Sequence, residues 1–157
     1  MRWIYLVALG SNRRGRAGGP AATVRAAAAA IGTIRLSPVI ASAPLGPSFR
    51  RFANAVALLE TTDAPPMLLA RLQAIERGFG RRRGRRWGAR VLDLDIVLWS
   101  GGRWRSRTLS IPHPAFADRH FVLEPAAALV PRWRDPASNL SVRQLAARLT
   151  RRHPLPS

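Results

Sequence analysis

Asp93 and Asp95 sit one residue apart inside "RVLDLDIVLW", residues 90–99, in a chain that holds only 8 acidic residues. A strand has a side-chain period of two, so both carboxylates leave the same face, with Cα atoms about 6.5–7 Å apart. Leu92, Leu94, Ile96 and Leu98 are then expected on the opposite, wholly apolar face. Two like charges side by side on a half-buried sheet repel, and burial penalises the ionised form of each. A positive partner is required. Arginines can supply it as ion pairs, or one or two divalent cations can, because hard cations take carboxylate oxygens. The two residues alone leave both readings open.

Arginine is abundant. The chain carries 26 basic residues, all of them Arg, for a formal net charge of +18. Without lysine there is no P-loop lysine, Schiff-base lysine or lysine general base. Without cysteine there is no disulfide, thiolate nucleophile or cysteine-ligated zinc. The positive field favours polyanionic partners, nucleotides or nucleic acid.

Two further stretches could bear chemistry. "RGFGRRRGRRWGAR", residues 77–90, interleaves arginines with glycines and one tryptophan and runs directly into the acidic strand. It suits a lid closing on a magnesium-bound polyphosphate, with a solvated basic loop as the less favoured alternative. "TLSIPHPAFADRHF", residues 108–121, holds His113 between Pro112 and Pro114, whose rings favour extended backbone. That framing suits a positioned phosphate contact, although a single histidine in a turn is more often structural.

These residues need a scaffold. With 157 residues and 47% hydrophobic content, the chain is long enough for one folded domain. "WIYLVALG" reads as a strand, too short to span a membrane and without a signal-cleavage pattern, so a soluble cytoplasmic protein with no membrane association is expected. "AATVRAAAAAIG" reads as a helix with Pro20 in its first turn and Gly32 at its end. "TIRLSPVIASA" and "RFANAVALLETT" read as strands joined through "PLGPS". "DAPPMLLARLQAIERGFG" reads as a helix that Asp63 can cap, with Leu68, Leu72, Ile75 and Phe79 at helical spacing. "SGGR" suggests a hairpin into "WRSRTL", and Ser141 with Gln144 has capping-box spacing for a short last helix. The expected fold is α+β: a ferredoxin-like βαββαβ core with a mainly antiparallel sheet, helices on one face, an extra hairpin strand and C-terminal helices. Fold of this kind decides no function.

"ALGSN" (8–12), "PLGP" (44–47), "FANAV" (52–56), "RWGARVLDLDIVL" (86–98), "IPHP" (111–114) and "RHFVLEP" (119–125) occur in order. With them the chain resembles the 6-hydroxymethyl-7,8-dihydropterin pyrophosphokinases of folate biosynthesis. The resemblance covers residues 4–131 of a single domain, leaving 132–157 as a C-terminal extension. It implies transfer of the terminal pyrophosphate of ATP to the pterin's hydroxymethyl group, with release of AMP. It implies that Asp93 and Asp95 ligate two Mg²⁺ ions, and that Arg81 and Arg90 contact the phosphates as further catalytic residues. Gln73, Glu76, Ile96, Ser110 and His113 match positions that contact ATP. Ser42, Pro44, Leu45, Phe52, Asn54, Asp95 and Phe121 match positions that contact the pterin, with the two phenylalanines flanking its flat ring. Small-molecule substrates, a monomer, and only non-specific contact with nucleic acid are expected with it. Three places differ from the family pattern: "SAP" at 42–44, "RRGRAGG" at 13–19, and a glycine–arginine loop about one residue shorter, in which Arg83 and Arg86 lie. The rival readings are a paralogue acting on another pterin and a ferredoxin-like RNA-binding module. The latter needs exposed aromatics on its central strands, which "WIYLVALGS" and "VLDLDIVLW" do not supply.

Overall fold

The computed structural model describes residues 1–42, 51–80 and 91–154. Four strands and two helices make the core in chain order: β1 (Trp3–Ser11), α1 (Pro20–Ile31), a broken edge strand β2 (Arg35–Leu36) and β3 (Ile40–Ser42), β4 (Phe52–Thr61), α2 (Pro65–Gly78) and β5 (Asp93–Trp99). The sheet runs β2-β4-β1-β5 with β3 also on β4, and each of these pairings is antiparallel. This is the expected ferredoxin-like order, in which each helix carries the chain across one intervening strand.

The stretch read as one strand at 33–43 is split because Pro38 has no N–H for the ladder. Ser37 bridges the break: its N–H donates to the Val56 carbonyl at 2.9 Å, and its hydroxyl accepts from the Val56 N–H at 2.9 Å. Pro20 opens α1, and Gly32 closes it at φ 84°, a left-handed cap that glycine adopts without a Cβ penalty. Asp63 does not cap α2 as expected. Its carboxylate pairs with Arg71 Nε at 3.2 Å, and its carbonyl accepts the Tyr5 hydroxyl at 2.7 Å. The hairpin differs too: β6 (Trp104–Arg105) pairs with β7 (Ser110–Ile111) as a separate ribbon and does not extend the main sheet.

Helices cover both faces of the sheet, not one. α1 and α2 pack on Tyr5, Val7 and Leu9 of β1 and on Ala55, Ala57 and Leu59 of β4. The other face carries Leu6, Val56 and Leu58, and against it lie α3 (His120–Leu129) and α4 (Val142–Arg152). α4 begins at a full capping box. The Gln144 N–H donates to Ser141 Oγ at 3.1 Å, and the Ser141 N–H donates to Gln144 Oε1 at 2.9 Å. Val142, Leu145 and Leu149 make its buried stripe, so the C-terminal stretch belongs to the second layer.

β5 also changes phase within its length. Val7 of β1 pairs with Ile96 and Leu6 with Leu98, leaving Val97 as an extra residue, a bulge. Leu92, Leu94 and Ile96 therefore join the α1/α2 core, whereas Leu98 turns to the α3/α4 core and does not share their face as expected.

Candidate active site

The α3/α4 face of the sheet is apolar at its centre, and at one end it carries the two acids. There the cross-strand register aligns Asp93 with Gly10 and Gly10 with Asn54, and aligns Asp95 with Ala8. Small residues on β1 leave room above the two acids. Phe52 is two residues before Asn54 on β4 and pairs with Ser42 of β3. The start of α3 overhangs this end, bringing Phe121 and Arg119 to the same cleft as Phe52, Asn54, Asp93 and Asp95. Arg119 lies with its guanidinium carbon 5.5 Å from the centroid of the Phe121 ring. Two aromatic rings, a buried amide and two carboxylates line this first cleft, which suits a flat polar heterocycle.

Two further clefts open on the other side of the acids. One is lined by Gln73, Glu76, Asp93, Asp95, His113 and Arg119. Its neighbour, of about 350 Å³, is lined by Asp95, Ile96, Arg107, Ser110 and His113 among others. Asp95 is common to all three clefts, and Asp93 to the first two. The structure thus gathers Gln73, Glu76, Ile96, Ser110 and His113 on one side of the acidic pair, and Phe52, Asn54 and Phe121 on the other. Pro44, Leu45, Arg81, Arg83, Arg86 and Arg90, with the "PLGPS" connection and most of the glycine–arginine loop, lie outside the described residues, and Ser42 is placed by its backbone only.

Glu76 has a definite local partner. Its side chain is buried and Oε2 accepts the Leu94 N–H at 2.8 Å, holding the residue between the two aspartates. β5 is an edge strand among the described strands, and an outward N–H there needs a partner.

His113 is held by the bulge. Its N–H donates to the carbonyl of Val97 at 3.0 Å. The Ala115 N–H donates to Nδ1 at 3.1 Å, so a neutral ring carries its proton on Nε2, which lies 3.9 Å from Asp95 Oδ1. Burial pushes the imidazole below its ordinary pKa of 6.5; Asp95 opposes that shift, Arg119 adds to it, and Asp93 opposes it more weakly.

The donor set fits Mg²⁺. Two carboxylates on one face, with the Asp95 side chain 38% exposed, supply hard oxygens and leave room for water and phosphate ligands. Mg²⁺ is commonly held in this way, by one or two carboxylates plus substrate phosphates. Among the described residues no group of three or more His, Cys, Asp or Glu side chains forms a closed metal cage. Arg119 is a functional candidate that sequence reasoning misses: one arginine among 26 carries little signal, and only its place two residues before Phe121 in "RHFVLEP" hints at it.

Residues 6–131 match the family model described as 7,8-dihydro-6-hydroxymethylpterin-pyrophosphokinase (HPPK). The chain is 40% identical over 111 residues to the 2-amino-4-hydroxy-6-hydroxymethyldihydropteridine pyrophosphokinase of Synechocystis sp., covering 71% of this chain and 57% of that relative. It is 47% identical over 104 residues to the protein of the same name from Pseudomonas aeruginosa, covering 66% and 64%. The chain thus spans less than two thirds of the length of these curated relatives. Among solved structures it is similar to wild-type HPPK-DHPS of Plasmodium falciparum, with a TM-score of 0.75 at 13% identity over 97% of this chain and 42% of that one. An HPPK-DHPS crystallised in complex with substrates gives a TM-score of 0.77 at 11% identity over 96% of this chain and 45% of that one. Likeness at these identities speaks for the fold alone. Among the described residues, no helix is long and apolar enough to cross a membrane.

Proposed function

The chain belongs to the 7,8-dihydro-6-hydroxymethylpterin-pyrophosphokinase family, and from that premise we propose that it transfers pyrophosphate from ATP to the hydroxymethyl group of 6-hydroxymethyl-7,8-dihydropterin in folate biosynthesis. The observation that carries this reading is the position of Asp95, which forms a wall common to the aromatic cleft and to both clefts beyond it. A transfer between two bound substrates requires such a junction, because the attacking and leaving groups must meet in line.

In this reading the pterin enters between Phe52 and Phe121, and the Asn54 amide, which both donates and accepts, reads the edge of its ring. The triphosphate extends from the clefts lined by Gln73, Ile96, Ser110 and His113 towards the acidic pair. The hydroxymethyl oxygen gives up its proton to solvent and attacks the β-phosphorus, a new P–O bond forms there, and the bond to the oxygen bridging the α- and β-phosphorus breaks, so that AMP leaves with that oxygen. Asp93 and Asp95 would hold Mg²⁺, which when bound supplies neutralisation of the phosphate charge and alignment of the two reacting oxygens. His113, uncharged near neutral pH with its proton on Nε2, can donate a hydrogen bond to a phosphate oxygen beside Asp95. The Arg119 guanidinium borders both substrate sides and can offset developing negative charge. Arg81 and Arg90 would contact the phosphates, in keeping with the family pattern.

Release of AMP from ATP, measured with and without 6-hydroxymethyl-7,8-dihydropterin, tests the proposal. AMP formation that depends on the pterin supports it. ATP turnover indifferent to the pterin, or none with both substrates and Mg²⁺ present, contradicts it.

A further inference from the structure

The turn between β1 and α1 carries "NRRGRAGG", residues 12–19, and the catalytic reading leaves its arginines without a role. It is a closed turn: the Gly15 N–H donates to Gly18 O at 2.9 Å, and the Gly18 N–H donates to Gly15 O at 3.0 Å. So pinned, it touches the chain at two separate places. The Arg16 guanidinium carbon lies 5.0 Å from the centroid of the Phe79 ring. The Gly15 backbone lies against Val91 so closely that a Cβ there would come within 2.6 Å of Val91 Cγ1.

Those two places share a property. Phe79 is the residue at which the chain leaves α2, and Val91 comes two residues before Asp93. Both side chains are buried, at 8% and 9% exposure. Arg81 follows Phe79 by two residues, and Arg90 immediately precedes Val91. We propose that the β1–α1 turn clamps these two stems, and that Arg16 is a positioning residue that fixes the end of α2 and the start of β5, the segments next to those arginines in sequence. The inference rests on the pyrophosphokinase reading for its consequence in catalysis, but the clamp itself stands on the contacts just given. A cation over an aromatic face holds the ring from above, and Gly15 admits Val91 where any side chain would displace it. Fixing both stems before substrate arrives removes conformational freedom that would otherwise be lost on binding.

The test compares Arg16→Gln, Arg16→Lys and Arg14→Gln in the full chain. Arg14 is exposed in the same turn, so its substitution removes the same charge from the same place. Arg16→Gln should lower kcat for pterin-dependent AMP release about two- to fivefold, with a smaller change in the KM for ATP. Arg16→Lys, which keeps a cation able to sit over the ring, should recover most of that loss, and Arg14→Gln should match the parent. In the protein without substrates, amide exchange at Gly80 and Val91 should quicken in Arg16→Gln and not in Arg14→Gln. If Arg16→Gln behaves like Arg14→Gln in exchange and in kcat, the clamp is overturned. A parent that releases no AMP would contradict the proposed function instead, and the exchange comparison would still decide the clamp.

Discussion

The His113 imidazole lies with Nε2 3.9 Å from Oδ1 of Asp95, held there by a backbone hydrogen bond to the bulged residue Val97. An irregularity in β5 thus fixes the distance between a ring and a carboxylate that separate stretches of sequence supply. Burial lowers the pKa of His113 and Asp95 raises it in part. Asp95→Asn should therefore lower the His113 titration midpoint further, as read by NMR of the ring protons. Because the folded pKa is below the ordinary 6.5, the unfolded chain binds that proton first as pH falls. This contribution to stability is present above about 6.5 and is lost as pH drops through the folded value. A midpoint that rises in Asp95→Asn would contradict the geometry.

Removing either carboxylate separates a functional pair from a structural one. Asp93→Asn and Asp95→Asn should each abolish pyrophosphoryl transfer. In the absence of Mg²⁺, Tm should stay equal or rise, since repulsion between the two acids is relieved. Wild-type activity in either variant would end the assignment of the pair to metal and phosphate.

The aromatic cleft makes its own prediction. Phe121→Ala should weaken pterin binding by roughly 1–3 kcal/mol, taking base–aromatic stacking as the guide, with little change in ATP affinity. Gly10→Ala should act in the same direction, because a Cβ there comes within 3.1 Å of Asn54 Oδ1 and pushes the amide from its place. Isothermal titration with each substrate checks both. Equal loss of ATP and pterin affinity would show general damage to the site.

Tyr5 offers a probe of the scaffold beneath the site. It is the only tyrosine in the chain, and burial, with a smaller contribution from Asp63, pushes its pKa up to about 12 from 10.0. Phenolate absorbance in the folded protein should therefore appear near pH 12. The unfolded chain loses this proton first, so Tyr5's contribution to stability is intact below pH 10 and is lost as pH rises through the folded value. An absorbance midpoint near 10 under folding conditions would show that the ring is not sealed in the α1/α2 core.

Much of this arrangement was legible in the residues. The period-two setting of Asp93 and Asp95 placed both acids on one face, and the order of strands and helices gave the ferredoxin-like core. The bulge at Val97 was silent, because Ile96, Val97 and Leu98 are all apolar and a phase shift among them leaves no mark. The second helical layer did leave one: Ile4 and Leu6 alternate with Tyr5 and Val7, so β1 is apolar on both faces, the pattern of a strand covered on both sides. The residue type of Asp63 suits a cap, whereas its choice of Arg71 as partner depends on the tertiary fold and leaves no mark in the sequence.

The most direct measurement of the central claim follows the β-phosphorus of ATP. With Mg²⁺ and 6-hydroxymethyl-7,8-dihydropterin present, ATP labelled at that atom should deliver the label to the pterin product, while label at the α-phosphorus should remain in AMP. Both products should form in equal amounts without ADP. Recovery of the β-label in ADP, with only the γ-phosphorus passed on, would contradict pyrophosphoryl transfer at the Asp93–Asp95 junction.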